Sequence, residues 1–179
     1  MIYFQLGDDM NKKLIPTYTY KNVYCLDINK IKRLGYKTIL IDLDNTLASP
    51  YVYDPDSKVF EFINSLKDLD FNVVILSNNH EERVKRFVTP LEIKYLFEVK
   101  KPSIKKVNKF LLENNICKEE CIMIGDQIMT DVLMANKLDI DVILMEPLTI
   151  KDEPITFIPR LLDKFFRNKI IKKKLAEEL

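Results

Sequence analysis

The sequence predicts an α/β fold: a three-layer, Rossmann-like core with a central parallel sheet of about five strands and helices on both faces. Three observations predict it. From residue 28 onward, helical and strand patterns alternate. The strand-length runs are almost uniformly apolar, as strands covered on both faces must be. Polar residues follow the ends of those runs, where open α/β sheets bind ligands.

Ile28–Leu34 reads as a short helix closed by Gly35. Thr38–Asp42 (T-I-L-I-D) is an apolar, β-branched run of strand length. Asp56–Leu69 places Val59, Phe60, Ile63, Leu66 and Leu69 at helical spacing. Asn72–Leu76 is a second buried strand, and His80–Val88 a helix stopped near Pro90. Tyr95–Val99 is expected as a third strand. Ser103–Asn115 is a helix with Val107, Phe110 and Leu111 on one face. A fourth strand over Cys121–Ile124, a helix over Ile128–Asn136 and a fifth strand over Asp141–Met145 complete the core. A basic amphipathic helix is expected from about Phe157 to the end.

The 179 residues suit one domain: a lead and short helix over 1–37, a core over 38–146 and a basic C-terminal helix over 155–179. A hydrophobic fraction of 47% is ample for a buried core. The scarce residues exclude whole classes of chemistry. The three glycines, Gly7, Gly35 and Gly125, can write neither G-x-G-x-x-G nor G-x-x-x-x-G-K-[ST]. There is no G-x-S-x-G, and one histidine, His80, cannot make H-E-x-x-H. An enzyme of this composition is expected to work with carboxylates, lysines and hydroxyls.

The net charge is +1, yet residues 160–179 carry seven basic side chains against three acidic ones. A mildly acidic body thus ends in a basic segment. The odd cysteine count (Cys25, Cys117, Cys121) suggests a reducing compartment, and Cys117-x-x-x-Cys121 is a poor zinc site. No segment approaches the roughly 18 consecutive apolar residues of a membrane span. The expected location is cytoplasmic, with peripheral contact at the inner face of the membrane as an option.

The residues after the strands make a magnesium- and phosphate-binding set. Asp42 and Asp44, two apart on an extended segment, face the same side. The first can attack phosphorus and the second can protonate the departing oxygen. Mg²⁺, a hard cation bound by oxygens, relieves the repulsion between a carboxylate nucleophile and a phosphate dianion. Asp126 can supply a further carboxylate ligand, and Lys101 can neutralise charge on the phosphoryl group and on Asp42. Ser77, with the backbone N–H groups of Asn78 and Asn79 at a helix start, can hold phosphate oxygens. Thr46 can do the same or brace its loop. Gly125 sits where the backbone must turn Asp126 toward the metal.

D-x-D-x-T after the first strand, Ser77 after the second, Lys101 before the next helix and G-D-x-x-x-x-D after the fourth resemble the haloacid dehalogenase-like (HAD) hydrolase superfamily. A closer resemblance spans nearly the whole chain. I-D-L-D-N-T-L (41–47), L-S-N-N (76–79), E-R-V (82–84), K-K-P (100–102) and I-G-D-Q-I-M-T-D-V (124–132) look like the YqeG-type, class IIIA HAD phosphatases. That family is similar to the mitochondrial phosphatidylglycerophosphate phosphatases. The resemblance implies an Mg²⁺-dependent phosphatase with Asp42 as nucleophile and Asp44 as general acid and base. It implies metal ligation by Asp42, the backbone carbonyl of Asp44 and Asp126. Asp131 takes the family's second acidic position, reaching the metal through water or another ligand. Ser77 and Lys101 match the phosphate-binding serine and lysine; Lys101, directly before Pro102, fits better than Lys100. His80 departs from the pattern, which argues against an essential imidazole.

Many members of the superfamily insert a cap domain. From Asp42 to Ser77 is 35 positions and from Ser77 to Lys101 is 24, spans filled by core elements. A capless, open site favours a large or surface-presented phosphate, with phosphatidylglycerophosphate leading. A nucleotide, a sugar phosphate and a phosphoprotein are the alternative substrates. A non-catalytic HAD-derived binding protein is the rival of another class, disfavoured because Asp42, Asp44, Lys101 and Asp126 are all present.

Taken singly, these residues have plainer explanations. Asp42 and Asp44 suit a strand-end turn, Ser77 a helix cap and Lys101 a surface charge. Asp131 suits a solvated helix face, and Asp8-Asp9 a turn. Tyr51 and Tyr53 either line the entrance or pack their own loop. In the C-terminal segment, Leu161, Leu162, Phe165, Phe166, Ile170 and Ile171 interleave with Arg and Lys. Packing on the core is the favoured reading there, then contact with anionic lipid, with nucleic acid a weaker third.

Overall fold

The computed structural model describes residues 12–149, 166–167 and 176–179. Its strands are β1 (Tyr18–Tyr20), β2 (Thr38–Asp42), β3 (Asn72–Leu76), β4 (Lys94–Leu96), β5 (Cys121–Gly125), β6 (Asp141–Met145) and β7 (Glu177–Glu178). They form one parallel sheet in the order β4-β3-β2-β5-β6-β1-β7. The helices are α1 (Ile28–Arg33), α2 (Ser57–Asp68), α3 (Glu81–Val88), α4 (Lys105–Glu113) and α5 (Leu133–Leu138).

The apolar strands sort their side chains by alternation. Ile39 and Ile41 of β2 join Val73, Ile75, Ile122, Ile124 and Ile143 in one buried cluster, covered by Ile31, Val59, Ile63, Leu66, Val84 and Phe87 from α1, α2 and α3. Leu40 points the other way and joins Val74, Leu76, Met123, Val142 and Leu144 under α4 and α5. The expected three layers are present. Asp27 and Asp56 cap α1 and α2 by accepting the backbone N–H groups of Lys30 and Val59. At Gly35, φ is +94°, a conformation that glycine adopts without a Cβ clash, and the chain there turns from α1 into the approach to β2.

Register sets the site. Asp42 lies opposite Leu76 of β3, and Ile41 opposite Ile124 of β5. The carboxyl ends of the three central strands are therefore level, and the residues that follow them share one edge of the sheet.

Several expectations need correction. The sheet has seven strands rather than about five. Tyr18–Tyr20 pairs with Ile143–Met145, and Glu177–Glu178 pairs with β1. The last residues are thus extended where a helix was expected to continue. The N–H groups of Glu177 and Leu179 bond the carbonyls of Thr17 and Thr19, completing an otherwise open edge. Phe166 and Arg167 are helical, and the rest of the expected 155–179 helix lies outside the described residues. The strand expected at Tyr95–Val99 sits at Lys94–Leu96. Beyond it the chain folds back over β3, with Glu98 N–H on the Asn79 carbonyl and Val99 N–H on the Ser77 carbonyl. Glu98 and Lys100 adopt positive φ in that turn, which leaves Lys101 above the end of β2. The helix expected over Ile128–Asn136 opens as a π-helical turn, Ile128–Val132, before α5. Ser103–Asn115 is helical only over Lys105–Glu113.

Candidate active site

Asp42 ends β2 with its side chain buried among the strand ends. Lys101 lies directly above it. Its Nζ donates to Asp42 Oδ1, to Asp131 Oδ1 at 2.7 Å and to the Leu76 carbonyl at 3.3 Å. The side chain of Lys101 is 3% exposed, so this is a buried ammonium between two carboxylates. The Asn78 carboxamide oxygen accepts the Lys101 backbone N–H at 2.8 Å and fixes the loop that delivers it.

Asp126 follows β5, and Asp131 reaches the same point from the π-helical turn. Asp131 Oδ2 accepts the N–H of Gln127 at 3.1 Å, while the N–H groups of Asp131 and Val132 both bond the Gln127 carbonyl. Widening the turn in this way aims the carboxylate inward, a frequent use of π-bulges. Asp42, Asp126 and Asp131 are all buried, and their ligand oxygens lie within 4.8 Å of one another. Lys101 is shared by Asp42 and Asp131, and Arg167 Nη2 donates to the Asp126 backbone carbonyl. The hard oxygen donors of the three carboxylates, at this spacing, fit a divalent cation such as Mg²⁺. Burial pushes the Asp42 carboxyl well above its ordinary value; Lys101 opposes this, while Asp131 and Asp126 add to it. Burial acts to lower Lys101, but the charges of Asp131 and Asp42 outweigh it and hold the ammonium protonated.

Asp44 has a separate environment. Its Oδ2 accepts from Asn79 Nδ2 and its Oδ1 from Arg83 Nη2, each at 2.5 Å. Its carboxylate therefore stands outside the Asp42–Asp126–Asp131 cluster. Thr46 turns its hydroxyl to Asp126 Oδ1 at 3.4 Å, the bracing option expected for it. Ser77 is fully buried and accepts the Asn79 N–H at 3.1 Å. The helix start expected at Asn78 and Asn79 is displaced: α3 begins at Glu81, and Asn79 N–H is used inside a turn on Ser77. His80 is exposed and pairs with Glu98. The sequence pointed to the Asn79 backbone N–H but not to its side chain as a partner of Asp44, and it did not single out Arg83, for which the E-R-V motif was the signal.

Gly125 has a role other than the one expected. Its φ lies outside the left-handed region, so what matters is the absent Cβ. A Cβ there would meet Asp131 Cβ and Cγ at 2.5 Å. Gly125→Ala is expected to push Asp131 off Lys101 and out of the carboxylate cluster. In a titration of activity against Mg²⁺, the half-saturating concentration should rise by about 10–100-fold. An unchanged titration would mean that Asp131 yields without consequence.

The segments between Asp42 and Ser77 and between Ser77 and Lys101 hold only core elements and connecting loops, and no cap domain is evident among the described residues. Residues 9–149 match the family described as mitochondrial PGP phosphatase. The chain is 34% identical over 155 residues to the "Probable phosphatase YqeG" of Bacillus subtilis (strain 168), covering 87% of this chain and 90% of that protein. It is 28% identical over 155 residues to "Phosphatidylglycerophosphate phosphatase 1, chloroplastic/mitochondrial" of Arabidopsis thaliana, covering 79% of this chain but 43% of the plant protein. Among solved structures, an uncharacterized protein from Listeria monocytogenes serotype 4b superposes with a TM-score of 0.53 at 18% identity, covering 74% of this chain and 99% of that one. A hypothetical protein from Xanthomonas campestris gives a TM-score of 0.50 at 15% identity, covering 70% and 72%. Those two likenesses bear on the fold alone. The chain is a phosphatase of the HAD type and belongs to the mitochondrial PGP phosphatase family.

Proposed function

We propose that this phosphatase hydrolyses a phosphate monoester through an aspartyl-phosphate on Asp42, with Mg²⁺ as cofactor. Its leading substrate is phosphatidylglycerophosphate or another large, surface-presented phosphate. The observation that carries the mechanism is the division between two neighbouring carboxylates. Asp42 lies in the buried lysine–carboxylate cluster, and Asp44 is held apart by Arg83 and Asn79. Two carboxylates in two environments suit two roles.

An Asp42 carboxylate oxygen attacks phosphorus, and the bond from phosphorus to the substrate's alcohol oxygen breaks. The Asp44 carboxyl gives its proton to that departing oxygen. The Asp44 carboxylate then takes a proton from water as the water oxygen attacks phosphorus, which frees Asp42 and inorganic phosphate. Lys101 offsets the negative charge gathered beside Asp42 throughout. Asp42, Asp126 and Asp131, with the backbone carbonyl of Asp44, would hold Mg²⁺, which supplies Lewis-acid neutralisation of phosphoryl oxygens when bound.

The rim supports a surface-presented substrate. Among the described residues the exposed large apolar side chains include Tyr51, Val52 and Tyr53, in the loop after Asp44, and Leu148. The Leu148 N–H bonds the Asn45 carbonyl at 2.9 Å, which places it beside the same loop. Tyrosine suits an interface that is apolar on one side and wet on the other. The plant relative's name points to the same substrate.

The test is a phosphatase panel of phosphatidylglycerophosphate in anionic vesicles, nucleotides, sugar phosphates and a phosphopeptide, each with Mg²⁺ or a chelator. Preference for the vesicle-borne lipid supports the reading, and preference for a soluble phosphate overturns the substrate. Activity that survives chelation overturns the metal. The basic segment is tested by charge neutralisation, because truncation would also remove β7 and the packed Phe166. Lys172, Lys173 and Lys174 changed together to Gln should weaken vesicle binding by roughly 100-fold, at about 1 kcal/mol per basic residue. Turnover of a soluble phosphate should be unchanged, and equal vesicle binding would remove the membrane role.

A further inference from the structure

Arg83 lies on α3, an element that supplies no residue to the lysine–carboxylate cluster. Its side chain is nevertheless 13% exposed and that of Asp44 22%, so their ion pair is largely withdrawn from water. Nη2 donates to Asp44 Oδ1, and Nη1 donates to the Val52 carbonyl at 3.0 Å. The guanidinium carbon stands 5.0 Å from the centre of the Tyr53 ring. The same ring receives Arg86 at 5.6 Å, and Arg86 holds Asp54 by two hydrogen bonds. One planar group therefore grips the Asp44 carboxylate with one nitrogen and the rim loop with another. Asn79 holds the second Asp44 oxygen. A carboxylate with both oxygens engaged has one rotamer, and the loop that carries Tyr51, Val52 and Tyr53 shares the guanidinium that fixes it.

We infer that Arg83 is the positioning residue of the acid–base step: it sets the Asp44 carboxyl against the departing oxygen and ties that setting to the Tyr51–Asp54 rim. It acts through Asp44 and forms no bond to the reacting atoms. Lysine cannot replace it, because one compact ammonium cannot hold a carboxylate and the Val52 carbonyl in a fixed fork. The inference rests on Asp44 being the acid proposed above.

The test compares leaving groups. An alkyl phosphate such as glycerol phosphate needs a proton on its departing oxygen, whereas dinitrophenyl phosphate leaves without one. The ratio kcat/KM reports events up to departure of the alcohol, so it excludes the later hydrolysis, and the comparison between leaving groups isolates the acid step. Arg83→Ala should lower kcat/KM for the alkyl phosphate by about 100-fold, within the range of a lost general acid. The loss on dinitrophenyl phosphate should stay within about 3-fold, since positioning matters only where the acid is needed. Arg83→Lys should recover little. Added guanidinium ion should restore part of the Arg83→Ala rate on the alkyl phosphate alone. Combining Asp44→Asn with Arg83→Ala should cost no more than Asp44→Asn by itself, because residues acting through one group are not additive.

Equal losses on both substrates, or full additivity in the double variant, would overturn the inference. Asp44→Asn separates this failure from failure of the mechanism. If Asp44→Asn discriminates between the leaving groups and Arg83→Ala does not, only the role of Arg83 falls. If neither discriminates, the assignment of Asp44 as acid falls with it. Thermal midpoints are measured for every variant, and Arg83→Gln replaces Arg83→Ala if the alanine variant does not fold.

Discussion

Asp42→Asn is expected to abolish turnover while leaving the fold intact. An amide has no anionic oxygen to form the bond to phosphorus, so the loss should be on the order of 10⁴-fold or more in kcat, as for other deleted nucleophiles. Asn nearly matches Asp in volume, so the packing of β2 against β3 and β5 should persist. Lys101 keeps Asp131 as its partner. Burial, Asp131 and Asp126 disfavour the Asp42 carboxylate more than Lys101 favours it, so a neutral amide there should leave the metal-free variant melting no lower than the parent. Acid-quenched protein analysed by mass spectrometry should carry one phosphoryl group in the parent and none in Asp42→Asn. The phosphoryl group should still be found in Asp44→Asn after reaction with dinitrophenyl phosphate, because attack needs no acid there whereas hydrolysis needs a base. A phosphoryl group on Asp42→Asn would overturn the nucleophile.

The parts of this site that were legible in the sequence were those tied to a strand end. Asp42, Ser77 and Asp126 each follow an apolar run that can hardly be anything but a buried strand, and parallel register then sets them level. Lys101 was legible by position in its motif, although the turn that carries it was misplaced. Phe97 and Val99 extended the apolar pattern of β4, whereas the ladder ends at Leu96 because the next N–H groups bond back to Ser77 and Asn79. The two strands beyond β6 carried no comparable signal. Tyr18–Tyr20 reads T-Y-T-Y with Thr17, is half-buried and gains its partners only once β6 exists. Glu177–Glu178 has the composition of a helix end and pairs because β1 offers a free edge. The direction of Asp44 was the least legible feature. Alternation placed it on the same side as Asp42, yet Arg83 and Asn79, distant in sequence, decide where its oxygens point. Long-range side-chain choices of this kind leave no local periodicity to read.

Lys101→Met is expected to damage both activity and stability, and Mg²⁺ should separate the two effects. Methionine keeps much of the length and volume of the stem but removes the ammonium, so Asp42 and Asp131 lose the cation they share. Removing one partner from a buried ion pair typically costs about 3–5 kcal/mol, because the stranded charge has neither water nor a counterion. The apoprotein should therefore melt well below the parent. Added Mg²⁺ should restore more stability to Lys101→Met than to the parent, since it meets a site with more uncompensated charge. The pH dependence follows in sign. Burial raises Asp42 above its unfolded value, so its contribution to stability is present at low pH and is lost as the pH rises through its folded value. The melting point of metal-free protein should fall over that rise, and more steeply in Lys101→Met. Activity should not recover with the fold. At saturating Mg²⁺, kcat should stay about 10²–10³-fold down, the usual loss of one charge-stabilising donor in a dry site. A variant that regains full activity once Mg²⁺ has restored its melting point would show that Lys101 only balances the carboxylates. A variant equally stable with and without Mg²⁺ would show that Asp42 and Asp131 do not depend on the Lys101 ammonium for their stability.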